Sequence, residues 1–231
     1  MRAEALSPHP TTASGFRWLG CRVPRDRVSA RGAAPTPGAR RPAPAGYGRV
    51  DVLVLCTANR CRSPMVEALL ADRLASTGVP ATVTSAGMLA PGLAPPTEAV
   101  AALARYGLDI SGHRSRRLEV ADVVEADLVV AMARSHVREA VVLAPAAWPR
   151  TFTLKELARR GSAVGPRRPG ERLARWLARV GEGRAQSELV GDADMDDVDD
   201  PLGGAPEAYV ATAALLEGLV DRVVGLAWPA R

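Results

Sequence analysis

The stretch VLVLCTANRCRSPM, from Val52 to Met65, decides how the rest of the chain is read. It opens as an apolar, β-branched run with Cys56 at its end. It then passes through Thr57, Ala58, Asn59, Arg60 and Cys61 to Arg62, Ser63 and Pro64. After a strand that ends near Cys56 the chain must turn and start a helix. Pro64 suits a first helical turn, where its missing N–H is no loss, and Ser63 before it suits the N-cap. Residues 57–62 can then form a loop whose backbone N–H groups converge on an anion, backed by the positive end of the helix. A cysteine facing those donors is expected as its thiolate. Arg62 can fork two hydrogen bonds onto a tetrahedral oxyanion. Nucleophile, cradle and charge clamp in one loop describe attack on a phosphate-like group. The plainer alternative makes Cys56 a small buried hydrophobe and Arg62 a surface residue. The strand before the loop and the proline-started helix after it weigh against that alternative.

On both sides of this loop the chain alternates strand-like and helix-like segments. Val50–Leu55 reads as a short strand, and Pro64–Thr77 as a helix with Met65, Ala68, Leu69 and Leu74 on one face and Gly78 as its stop. Ala81–Ser85, Leu128–Met132 and Thr151–Thr153 read as further strands. Thr97–Tyr106, ended by Gly107, and Arg134–Leu143 read as helices, with another from Leu154. Glu171–Val180 is amphipathic, with Leu173, Trp176, Leu177 and Val180 together. Ala205–Leu226 closes the chain with Tyr209, Ala213, Leu216, Val220 and Val223 inward. Alternating β and α predicts an α/β fold: a doubly wound three-layer sandwich around a four-stranded parallel sheet. Ligands of such sheets sit beyond the carboxyl ends of the strands, where Cys56 falls.

The chain has 231 residues, of which 47% are hydrophobic, enough for a sizeable core. No run approaches about 18 consecutive apolar residues, so no membrane span is expected. There is no apolar segment of the secretory kind near the start. The three cysteines, at 21, 56 and 61, are too few for a disulfide framework. They also lack the paired spacing of a zinc site. A reducing, cytoplasmic compartment fits them. The formal charge of +5 is uneven: residues 1–49 hold nine arginines against Glu4 and Asp26, and the remainder is close to neutral. A nucleic-acid partner is therefore not indicated. Residues 1–48, rich in Arg, Pro and Ala and without apolar period, are expected to be a disordered tail or the product of a start assigned too far upstream. Residues 49–231 are expected to form one domain.

CTANRCRSPM resembles the signature of the low-molecular-weight protein tyrosine phosphatase family, which shares its fold with thiol-dependent arsenate reductases. Further segments match in order: Ser85–Gly87 (SAG), GLDISGHRSRRL at 107–118, ADLVVAM at 126–132, and DDPLGG at 199–204. The last resembles the Asp-Pro loop that supplies the family's general acid. The resemblance implies a phosphomonoesterase acting on protein phosphotyrosine through a cysteinyl-phosphate, with no metal and no cofactor. It makes Cys56 the nucleophile, Arg62 the ligand of the phosphoryl oxygens and Asp200 the acid that protonates the leaving oxygen and then activates water. Thr57, Ala58, Asn59, Arg60, Cys61 and Ser63 are then the rest of the substrate-binding loop. Ser63 donates to the thiolate, and Asn59 holds the loop in a left-handed backbone conformation, which Asn tolerates. Cys61 matches a second loop cysteine that can trap Cys56 as a reversible disulfide.

The chain departs from the family where an aromatic usually walls the substrate ring. Leu202, Gly203 and Gly204 follow the Asp-Pro pair, and Met88 and Leu89 follow SAG. Arg60 stands where relatives often carry an apolar or small residue; its charge suits acidic substrate peptides and disfavours a phosphoarginine guanidinium. Asp199 is the rival acid beside Asp200. The run DADMDDVDD is a poor calcium loop: counted from Asp192 it has Asp197 where Gly is needed and Gly203 where Glu is needed. His113 and His136 read as structural or surface residues, and the arginines of 167–184 as the exposed side of an amphipathic helix. Two other functions remain open. One is arsenate reduction or transfer of arsenate to a thiol on the same loop. The other is a non-catalytic phosphate-binding regulatory module.

Overall fold

Four strands, β1 (Val50–Cys56), β2 (Ala81–Gly87), β3 (Leu128–Ala131) and β4 (Thr151–Thr153), pair in the order β2-β1-β3-β4. Every pairing is parallel. The computed structural model describes residues 48–189 and 194–229, so the expected tail lies, Gly48 apart, outside the described residues. The helices are α1 (Arg62–Ser76), α2 (Thr97–Ala104), α3 (Val120–Glu125), α4 (Arg134–Leu143), α5 (Leu154–Val164), α6 (Leu173–Val180) and α7 (Pro206–Ala227).

The alternation along β1 explains the three layers. Val50, Val52, Val54 and Cys56 face a core built with residues of α1, α2, α5, α6 and α7. Leu53 and Leu55 face a second core, completed by Val123 of α3 and Val137 and Ala140 of α4. A central parallel strand is apolar on both faces, which is why Val52–Leu55 reads as an unbroken apolar run. The faces read from the helical period are the buried ones: Met65, Leu69 and Leu74 in α1, and Tyr209, Ala213, Leu216, Val220 and Val223 in α7. Trp176 is fully buried, and its indole N–H is satisfied by the Gly165 carbonyl at 3.0 Å. The chain leaves β1 toward β2 on one side and returns to β3 on the other. The crevice of this switch point opens beside Cys56.

Several local expectations are corrected. Helix α1 begins at Arg62, with Cys61 at the N-cap position and no side-chain cap. Ser63 does not cap; its hydroxyl lies 2.9 Å from the Cys56 sulfur instead. The helix containing Thr97 ends at Ala104, because Gly107 turns with φ 74° and the last amides make turn bonds. Helix α3 was not foreseen. It is short and valine-rich, and a reciprocal capping box between Glu119 and Asp122 fixes its start. Nor is the Arg-rich segment a uniform solvated face. Arg172 and Arg175 are exposed, but Arg167 is buried and Arg179 pairs with Glu171 at 3.0 Å. The Arg184 side chain is buried between the Trp148 and Phe152 rings, 3.9 Å from each centroid.

Gly87 marks the closest approach of the sheet to the loop after β1. A Cβ there would lie 2.8 Å from both Asn59 N and Thr57 O. Both contacts are backbone, which cannot swing away. Gly87→Ala is expected to destabilise the protein by about 1–3 kcal/mol and to weaken phosphate binding. Urea unfolding and phosphate titration calorimetry check this; unchanged phosphate affinity would show that the loop absorbs the methyl group.

Candidate active site

The loop after β1 is organised around Asn59, a fully buried residue with φ 51°. Its amide nitrogen carries two hydrogens and has two partners, Ser63 Oγ at 3.0 Å and Ser85 Oγ at 2.7 Å. Its Oδ1 accepts from the Arg116 backbone N–H at 2.9 Å, and its carbonyl accepts from His113 Nε2 at 2.8 Å. These bonds hold the left-handed turn, whose strain a non-glycine residue otherwise resists. Ser85 in turn donates to Glu67 of α1 at 2.5 Å.

The Cys56 sulfur, 2% exposed, sits inside this frame. It accepts from the Asn59 backbone N–H at 3.2 Å. Ser63 Oγ already accepts from Asn59, which leaves the hydroxyl hydrogen free for the sulfur 2.9 Å away. Two donors aimed at one sulfur suit a thiolate. Cys61 is also buried, and burial, followed by the charges of Asp200 and Cys56, pushes its thiol up to about 12.

Arg62 is 5% exposed and joins distant parts of the chain. Its Nη1 donates to the Val198 carbonyl at 2.8 Å, and its Nη2 to Asp200 Oδ2 at 2.5 Å and to Thr57 Oγ1 at 3.3 Å. Its buried Nε has no hydrogen-bond partner among the described residues. Asp199 and Asp200 are both exposed, and Asp200 stands on Arg62. Thr57 also meets His136 Nε2 at 3.0 Å. Arg60 is half-buried, with its Nε on the Ala94 carbonyl at 2.8 Å. Ala58 is half-buried and offers only its backbone. Cys56, Asn59 and Ser63 thus form one hydrogen-bonded group, and Thr57, Arg62 and Asp200 a second beside it.

Sequence reasoning missed His136 as a part of the Thr57 group, and His113, Ser85 and Glu67 as parts of the Asn59 group. They lie far along the chain from their partners, 79 residues apart for His136 and Thr57, and no linear spacing announces such pairs. SAG did carry a signal for Ser85 and Gly87, as a matched segment without a stated role.

A thiol at the end of the first strand of a parallel α/β sheet, with an arginine beneath a converging loop, is the arrangement of a cysteine-dependent phosphatase. A family model described as low molecular weight phosphotyrosine protein phosphatase matches residues 51–163. The probable low molecular weight protein-tyrosine-phosphatase EpsP of Ralstonia solanacearum is 39% identical over 106 residues, 46% of this chain and 71% of that protein. A protein-arginine-phosphatase of Geobacillus stearothermophilus is 32% identical over 173 residues, 74% of this chain and 92% of that protein. The crystal structure of a low molecular weight protein tyrosine phosphatase from T. tengcongensis superposes with a TM-score of 0.57 at 34% identity, covering 76% of this chain and 97% of that one. The chain belongs to the low molecular weight phosphotyrosine protein phosphatase family. Among the described residues no helix is long and apolar enough to cross a membrane.

Burial, with Arg62 adding to it, pulls His136 down to about 4 from its usual 6.5. Its Nδ1 is buried without a partner among the described residues. Unfolded chains therefore bind a proton at His136 that the fold refuses between these two values. The stability of the neutral form is complete above pH 6.5 and is lost as pH falls toward 4. The loss is on the order of 3 kcal/mol by linkage. His136→Gln should flatten the fall in melting temperature over this window, and an unchanged slope would assign the acid sensitivity to other groups.

Proposed function

We propose that the chain is a phosphomonoesterase that hydrolyses protein phosphotyrosine through a cysteinyl-phosphate. The supporting observation is the junction at Arg62, where one buried guanidinium joins Thr57 of the loop to Asp200, which lies 138 residues from Arg62. Cys56 attacks phosphorus as the thiolate, held by Asn59 N–H and Ser63 Oγ–H. Arg62 gathers the equatorial oxygens, with Nε available at once and Nη2 released as Asp200 swings from it. Asp200 in its acid form gives its proton to the leaving oxygen as the P–O bond breaks. As a carboxylate it then takes a proton from the water that cleaves the S–P bond, and phosphate leaves. Positioning and charge stabilisation carry this chemistry, and it uses only side chains and water. Its free thiol suits a reducing compartment such as the cytoplasm.

The relatives named above include both a tyrosine and an arginine phosphatase. Arg60 favours the first for this chain. Anchored on Ala94, it holds a fixed positive charge beside the loop, which repels a phosphoarginine guanidinium. Leu89 and Leu93, on the segment tied to Thr57 and Arg60, and Leu202, beside Asp200, are exposed apolar residues able to cover an aryl ring. A phosphotyrosine peptide is expected to exceed a phosphoarginine peptide in kcat/KM by about 100-fold or more, with Arg60→Ala narrowing the gap. Faster turnover of phosphoarginine would overturn the assignment. Arsenate consumption with a thiol present and no phosphatase activity would assign the loop to arsenate chemistry instead.

The residue roles are tested separately. Cys56→Ser should lose at least about 1000-fold in kcat while still binding phosphate. Arg62→Lys should lose about 100-fold, because a point charge cannot fork. Asp200→Asn should be slow with poor leaving groups and nearly normal with acidic phenols. A leaving-group dependence that follows Asp199→Asn instead would move the role by one residue. Under peroxide, Cys56 becomes a sulfenic acid, and the protonated Cys61 thiol can condense with it to a disulfide with loss of water. Dithiothreitol should then restore activity in the wild type, whereas in Cys61→Ala further peroxide carries the unprotected sulfenic acid to sulfinic acid and the loss becomes largely irreversible; mass spectrometry of the loop peptide reads the disulfide directly.

A further inference from the structure

Helix α4 starts without a cap of its own. Its N-cap residue is Ala133, which has no acceptor, and its first turn holds no acidic residue. The acceptor comes from elsewhere: Asp197 Oδ1 takes the Arg134 backbone N–H at 2.7 Å, across 63 residues. A carboxylate at that position also meets the positive end of the helix dipole. The neighbours of Asp197 are fixed as well. Its carbonyl accepts from Lys155 Nζ at 2.5 Å. Val198, 2% exposed, donates its N–H to the Met132 carbonyl at 2.8 Å and receives Arg62 on its own carbonyl. Pro201 follows Asp200, and the Leu202 N–H turns back onto Asp200 Oδ1 at 3.2 Å. Asp200 is thus the exposed end of a segment stapled at residues 197 and 198.

We propose that Asp197 is a positioning residue for Asp200, setting the acid loop against the first turn of α4. The proposal rests on the reading of Asp200 as general acid. The same turn carries His136, whose ring touches Thr57. One helix end therefore places both the loop that holds the thiol and the loop that holds the acid. Without the Asp197 carboxylate, segment 197–200 keeps its backbone bonds to Met132, Arg62 and Lys155 but loses its registration to α4. Proton delivery demands hydrogen-bond reach of the leaving oxygen, and small displacements from it are costly.

The test is kcat/KM over a series of aryl phosphates whose phenols span several pKa units, with melting temperatures recorded alongside. Asp197→Ala is expected to lose about tenfold on the most basic phenol and less than about twofold on the most acidic one. Asp197→Asn, which keeps the acceptor, should retain the leaving-group slope of the wild type. In an Asp200→Asn background, Asp197→Ala should not steepen the slope further. If Asp197→Ala does not fold, Asp197→Glu takes its place; it keeps the charge but cannot keep the bond length without moving the loop, and the same steepening is expected. An equal loss on all substrates, or additive slopes in the double variant, would reduce Asp197 to a stabilising cap and overturn the proposal with the reading of Asp200 intact. A flat slope in Asp200→Asn alone would overturn both.

Discussion

A buried guanidinium is the constraint on which the rest of this structure turns. Removing the Arg62 charge from water costs several kcal/mol unless anions and carbonyls replace the water. The replacements come from two places. Thr57 belongs to the loop that follows β1, and Val198 and Asp200 belong to a segment nearly at the other end of the chain. Placing Arg62 correctly is therefore the same event as closing the C-terminal segment over the sheet. The sheet order serves this closure, because β3 lies next to β1 and is followed directly by Met132, whose carbonyl receives the Val198 N–H.

The loop itself is a second closed system. Asn59 spends every polar atom of its side chain and both of its backbone polar groups on neighbours: Cys56, Ser63, Ser85, Arg116 and His113. A fully satisfied buried polar network is rigid, since breaking any member leaves an orphan in a low dielectric. Rigidity is what a thiol loop needs, because dipoles fixed before the reaction cost no reorganisation during it. Gly87 is part of the same rigidity: β2 can end against Thr57 and Asn59 because residue 87 has no side chain.

Much of this was legible from residues 52–65, because the signals there are local. A β-branched strand, a cysteine at its end, an Asn able to turn left-handed and a proline in the first helical turn each act within a few residues. The alternating elements were legible for the same reason, as were the buried faces of α1 and α7. The start of α1 was misjudged because Ser63, a good cap by type, is drawn to the sulfur of Cys56 instead. Helix α3 escaped notice because six residues are too few to show a period, although its capping box was present in the sequence. His136 and Asp197 were illegible for a deeper reason. One looked like a surface or structural histidine and the other like part of an acidic run that makes a poor calcium loop. Only the fold brings the first to Thr57 and the second to the backbone amide of Arg134.

The segment between α5 and the Asp-Pro loop shows how remote packing reaches the site. Arg184 is stacked between Trp148 and Phe152, donates to the carbonyls of Trp148 and Thr151, and pairs with Glu156 at 2.8 Å. Two aromatic faces, two carbonyls and one carboxylate around a single guanidinium fix the start of β4 and the first turn of α5. That turn is also capped by Thr153, whose Oγ1 accepts from the Glu156 N–H at 3.1 Å. From the same helix Lys155 reaches the Asp197 carbonyl and Arg159 pairs with Asp196 at 2.6 Å. The path from Arg184 to Asp200 therefore runs through one rigid helix end and a few directional bonds. An arginine that reads in sequence as surface charge is in this way connected to the placement of the acid loop.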